Sequence, residues 1–177
     1  RAASPGAYDS IEGWQRLDDV VYVDQSPIAK SSRSNPAVYV GAFTRIRELF
    51  AAVPEARERG YTAGTFSFNS GTGRSPTCQG AGFERVEMQF LSDVLLKCPD
   101  CNGRRYRSET LEVTIDFAGR GKRSIADVLD MTVAEALAYF KGDAAICSAL
   151  APLADVGLDY VLLGQSVSTL SGGGAQR

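Results

Sequence analysis

Hydrophobic and polar positions change period several times along the chain. Phe43, Ile46, Leu49 and Phe50 recur at helical spacing with Arg45, Arg47 and Glu48 between them, which predicts an amphipathic helix fading before Pro54. Ser124 is placed to cap a short helix carrying Ile125, Val128 and Leu129. Thr132-Val133-Ala134-Glu135 is a capping box opening a helix with Leu137 and Phe140 that ends near Gly142, and a further helix is expected over 144–155. Period-two alternation predicts strands elsewhere: Thr65 to Phe68, a hairpin of Val86-Met88-Phe90 and Val94-Leu95-Leu96 turning at Leu91-Ser92-Asp93, and Leu111-Val113-Ile115-Phe117. The apolar runs Val20–Val23 and Tyr160–Leu163 read as short buried strands, and 30–36 reads as a polar loop in which Pro36 disfavours helix. The expected fold class is α+β.

Composition narrows the chemistry. A 44% hydrophobic content over 177 residues suffices for one domain, or a small domain with an insertion. A net charge of −2 gives no global attraction to nucleic acid, so DNA binding would need local basic clusters. No apolar run approaches the ~20 residues of a bilayer span and no secretory pattern opens the chain, so a cytoplasmic location is expected. The chain has no histidine, which excludes serine–histidine and cysteine–histidine catalysis and imidazole metal ligation.

Cys98 and Cys101 form a C-x-x-C, and Cys78 lies upstream with the expected hairpin between. Two zinc knuckles joined by a hairpin would converge their thiolates, and glycines follow both knuckles at Gly80, Gly82 and Gly103. A fourth cysteine would stand at position 75, where the residue is Ser75, a poor zinc ligand because its hydroxyl must ionise to compete with thiolate. Zinc on Cys78, Cys98 and Cys101 with water or a carboxylate is one reading. The other is a metal-free hairpin packed through Val86, Met88 and Phe90. A redox C-x-x-C lacks the βαβ context that would activate it. Cys147 is expected to be a small buried hydrophobe.

Read in order, Asp24-Gln25-Ser26-Pro27, Arg33-Ser34-Asn35-Pro36, Phe66-Ser67-Phe68-Asn69, Cys78-Gln79-Gly80-Ala81-Gly82, Cys98 to Tyr106, Val128 to Val133, Asp155-Val156-Gly157-Leu158 and Leu170-Ser171-Gly172-Gly173 resemble the UvrA family, the DNA-damage-recognition ABC-type ATPases of the bacterial excision nuclease. The resemblance covers nearly the whole chain and corresponds to the stretch between Q-loop and ABC signature of the C-terminal ATPase half.

The resemblance implies an end of the ATPase core with the Q-loop over 1–29, an inserted DNA-binding, zinc-ribbon-like region over 30–123, and a helical signature subdomain over 124–177. It implies that Gln25 approaches the magnesium and attacking water beside the γ-phosphate, and that Ser171, Gly172, Gly173 and Gln176 complete an ATP site at a helix N-terminus. Lys30, Arg33 and Arg45 are the expected phosphate contacts to DNA. Implied cofactors are ATP with magnesium, and zinc. Implied partners are duplex and damaged DNA, a second copy in a homodimer, and the downstream repair subunit UvrB. Ser75 in place of a cysteine, Gly174 in place of the usual Glu, and Ala29-Lys30 in place of Gly-Arg point to a divergent paralogue. No Gly-x-x-x-x-Gly-Lys-Ser/Thr loop occurs, so this stretch alone is expected to be inactive as an ATPase. A UvrA-like ATPase serving drug resistance or protein contacts, and a stand-alone zinc-ribbon interaction module, are the alternatives.

Overall fold

The computed structural model describes residues 6–20, 33–86, 88 and 94–170. Helices dominate, with two small antiparallel sheets among the described residues: α1 (Pro36–Tyr39), α2 (Ala42–Ala52), α3 (Pro54–Glu58), β1 (Phe83–Val86), β2 (Val94–Lys97), α4 (Ser108–Glu112), β3 (Thr114–Asp116), β4 (Lys122–Ser124), α5 (Ile125–Leu129), α6 (Val133–Tyr139) and α7 (Ala144–Asp155). The architecture is α+β, as expected.

The core forms where the amphipathic faces meet. Ala42, Phe43, Ile46 and Phe50 on α2 are buried, as are Ile146 and Leu150 on α7. Phe43 stacks tilted on Phe68 at 5.0 Å between ring centroids, and Phe50 on Phe66 at 5.4 Å. This cluster runs from Ala37 to Leu163, so the stretches 30–123 and 124–177 share one core. Both capping boxes are present: the Ser124 hydroxyl accepts from Asp127 N and the Thr132 hydroxyl from Glu135 N, each acid returning the bond to its cap.

Four expectations change. Thr65–Phe68 is a chain of turns, with Thr65 N donating to Thr62 O and Ser67 N to Gly64 O, and its residues are buried without alternation. Tyr160–Leu163 is likewise a turn that touches Thr132 through one bridge at Leu162, its amides and carbonyls being taken by Met131 and Val133. The Leu111–Phe117 strand shrinks to β3, because the α4 helix claims Leu111 and a 3-10 turn claims Phe117. Pro36 opens α1 at its first position, where a missing N–H costs nothing, and Asn35 caps it by accepting from Val38 N at 3.0 Å. The expected strand residues Val21–Val23 lie outside the described residues.

Candidate metal centre and its surroundings

The hairpin exists, though β1 lies earlier than the alternation suggested, and Phe90 to Asp93 lie outside the described residues. It begins directly after one knuckle and ends directly before the other, with Cys98 N donating to Gly82 O at 3.0 Å. A second pairing closes the base: Ser75 N donates to Arg105 O, Arg107 N to Gly73 O, and Arg74 bridges Tyr106.

Each knuckle turns back on its cysteine. Ala81 N donates to Cys78 O and Gly82 N to Cys78 Sγ at 3.2 Å; Asn102 N donates to Cys98 O and Arg104 N to Cys101 O. The turns require positive φ at Gln79, Gly80 and Gly82, and at Asn102 and Gly103. Gly80 is also a close approach, since a Cβ there would sit 1.9 Å from Phe68 O.

The three cysteine sulfurs lie within 4.8 Å of one another, with Cys78 Sγ and Cys101 Sγ 3.6 Å apart, and all three residues are buried. Ser75 is buried with them, its Oγ 4.0 Å from Cys98 Sγ. Burial raises the Cys78 thiol, but bonds from the Ser75 hydroxyl, the Gly82 N–H, Cys101 and Gly80 outweigh it and leave its pKa below the ordinary value. Burial, reinforced by the Cys78 and Cys98 sulfurs, pushes Cys101 up to about 11. Of the two, Cys78 is the more easily ionised.

Metal–sulfur bonds of about 2.3 Å put tetrahedral sulfurs ~3.8 Å apart, so the cluster matches three vertices of a zinc tetrahedron, with the Ser75 hydroxyl near the fourth. The metal-free alternative draws little support from the described hairpin: Val86 is 41% and Met88 44% exposed, all of β2 is exposed, and Phe90 lies outside the described residues.

Arg105 went unnoticed in the sequence and is central here. Buried at 7% exposure, it donates to Gly80 O at 3.3 Å and to Gly164 O at 3.0 Å, with its guanidinium 5.1 Å from the Phe68 ring centroid.

Of the expected DNA contacts, Arg33 donates to Gln79 O at 3.2 Å in the first knuckle. Arg45 pairs with Asp143 at 3.0 Å and Glu48 at 3.2 Å, its side chain 44% exposed. Lys30, Gln25, Ser171, Gly172, Gly173 and Gln176 lie outside the described residues. Val167 N donates to Ser34 O and Ala37 N to Leu163 O, so the described residues that follow position 32 and those that precede position 171 run side by side. Cys147 is half-buried rather than fully buried, apart from the cluster, with its thiol 3.5 Å from Phe140 O.

A helical core carrying a hairpin with three cysteines gathered at its base is the frame against which known proteins can be compared. No family model matches the chain. It is 55% identical to UvrABC system protein A of Vitreoscilla stercoraria over 173 residues, 98% of this chain and 30% of that protein. It is 52% identical to UvrABC system protein A of Salmonella typhimurium over 175 residues, 99% of this chain and 18% of that protein. Among solved structures, UvrA2 from Deinococcus radiodurans superposes with a TM-score of 0.84 at 49% identity over 93% of this chain and 20% of that one. The chain belongs to the UvrA family, of which it is a segment. It spans less than a third of the length of these relatives. No described helix is long and apolar enough to cross a membrane.

Proposed function

We propose that this chain is part of a cytoplasmic, ATP-dependent DNA-damage-recognition protein of nucleotide excision repair. The observation that carries this is the match, from end to end of the chain, to proteins named UvrABC system protein A. In this reading 1–29 ends the ATPase core, 30–123 is the DNA-binding, zinc-ribbon-like insertion and 124–177 is the signature subdomain. Gln25 orients the attacking water and magnesium, while Ser171, Gly172, Gly173 and Gln176 bind ATP. Cys78, Cys98 and Cys101 hold zinc, whose role is to lock the two knuckles together. Duplex DNA, a second copy and the subunit UvrB are the partners.

Lys30, Arg33 and Arg45 neutralise DNA phosphates. The ion pair with Asp143 weakens Arg45 as a phosphate contact, because binding DNA must first release it.

The test uses the full-length protein with ATP. Lesion-bearing duplex should bind more tightly than undamaged duplex, and Lys30→Ala and Arg33→Ala should each lower the salt slope of log K by about 0.9 while sparing lesion preference. Equal binding of damaged and undamaged duplex overturns the reading. A specialised paralogue, serving drug resistance or protein contacts, is the second reading, and Ser75 in the cysteine cluster favours it; lesion preference argues against it.

A further inference from the structure

The donor set at the tip of the knuckles is three sulfurs and one neutral hydroxyl, and this combination discriminates among metals. Zinc in a structural site takes four donors in a tetrahedron, and Ser75 completes that set poorly. Monovalent copper is softer, is drawn to thiolates, and is saturated by three of them in a plane. The sulfur geometry admits both ions: a planar triad with metal–sulfur bonds of about 2.3 Å needs sulfurs ~4.0 Å apart, against ~3.8 Å for a tetrahedron, and the observed separations run from 3.6 Å to within 4.8 Å. Residue 75 therefore decides.

We propose that Ser75 makes the Cys78–Cys98–Cys101 cluster a three-thiolate site that accepts Cu(I) as well as zinc, with position 75 setting the preference between them. The inference rests on the metal-site reading above and deepens it. All three cysteines are buried, which limits the ion's contact with water. An open cavity of about 240 Å³, lined by Ser75, Pro76, Asp100, Cys101, Tyr106 and Arg107 among others, reaches the cluster from outside and gives an ion its way in. Three thiolates on a monovalent ion carry one more negative charge than on zinc, and the Arg105 guanidinium interacts electrostatically with Cys78 and Cys101 to offset it.

The experiment is an anaerobic competition on this chain, with Cu(I) and Zn(II) as probes, each buffered by a chromophoric chelator, and with Cu(I)–thiolate ultraviolet absorption as an independent readout. In the parent, Cu(I) should bind at one per chain and displace zinc. Ser75→Cys should tighten zinc by about tenfold or more and Cu(I) by less than about threefold, since only zinc gains a missing donor. Ser75→Ala, which keeps the three sulfurs and changes the least volume, should leave Cu(I) binding unchanged. Zinc binding with a Cu(I)-to-zinc preference that is the same for Ser, Cys and Ala at position 75 overturns this inference alone. Failure of both ions to bind any folded variant overturns the metal site itself.

Discussion

Arg105 and Gly164, 59 positions apart in the chain, are joined by a 3.0 Å hydrogen bond from the guanidinium to the carbonyl. The same guanidinium holds Gly80 O in the opposite knuckle, so one side chain ties the cysteine-bearing ribbon to the turn from which the chain runs toward Ser171. The bond to Gly80 O is buried and the bond to Gly164 O partly so, and the Arg105 backbone adopts a left-handed φ of 70°.

Replacing Arg105 by Ala leaves two carbonyls without their donor and removes the stacking on Phe68. Stability should fall by about 2–4 kcal/mol, read as a lower urea midpoint with unchanged slope. Arg105→Lys should recover little, because a single ammonium on a flexible stem does not reproduce the planar fork spanning both acceptors. Full recovery by Lys would show that charge alone is the requirement.

The buried contact between turn and ribbon should be separable from core packing. Tyr106 donates from its phenol to Phe66 O at 2.8 Å. Tyr106→Phe should cost about 1–2 kcal/mol by orphaning a buried carbonyl, whereas Phe50→Ala, which opens a cavity beside Phe66, should cost about 3–5 kcal/mol. Thermal or chemical unfolding checks both, and a Phe variant as costly as the cavity variant would mean that the hydroxyl organises the turn itself.

What the sequence disclosed was what local rules govern. The α2 face, the Ser124 and Thr132 caps and the cysteine spacing depend on residues within a turn or two of one another, and each stands where its pattern puts it. Phe66 and Phe68 alternate with polar residues as in a strand, yet both rings enter the core because a series of turns, bonded at Thr62, Gly64 and Ser67, aims them at Phe50 and Phe43. Tyr160–Leu163 misleads for the same reason: only Val161 and Leu163 of the apolar run are buried, and their bonds with Val133 and Met131 set them in a turn. Arg105 was hidden because its two acceptors are backbone carbonyls, which carry no sequence signal.

Asp127 should confer acid sensitivity. Burial opposes its ionisation, but the Ser124 N–H and hydroxyl donate to it and Arg104 and Arg123 attract it, so its pKa lies below the ordinary aspartate value. A depressed carboxylate pKa means that the folded state binds the proton less readily than the unfolded chain. The stabilisation is therefore complete above the unfolded value near ~4 and is lost as pH falls through the folded one. Asp127→Asn should be less stable than the parent at pH 7, and the gap should narrow as unfolding is measured at successively lower pH below ~4. A constant gap across that range would assign the effect to geometry rather than charge.

Removing metal should loosen the knuckles before the core. The cysteine cluster is separate from the main apolar cluster, and the described hairpin residues between the knuckles are exposed, so the sulfurs, the Arg105 bonds and backbone pairing, rather than apolar packing, hold the ribbon shut. When a chelator strips the metal from the purified chain, amide exchange at Ala81, Gly82, Asn102 and Arg104, whose N–H groups close the two turns, should accelerate by about tenfold or more. The amides of Phe50 on α2 and Leu150 on α7, inside hydrogen-bonded helices over the core, should keep their protection. Arg105→Ala should accelerate the same knuckle amides even with metal present, since it removes the remaining tie at Gly80. Uniform acceleration across knuckles and helices would mean that ribbon and core open as one cooperative unit, with the ion stabilising the whole segment.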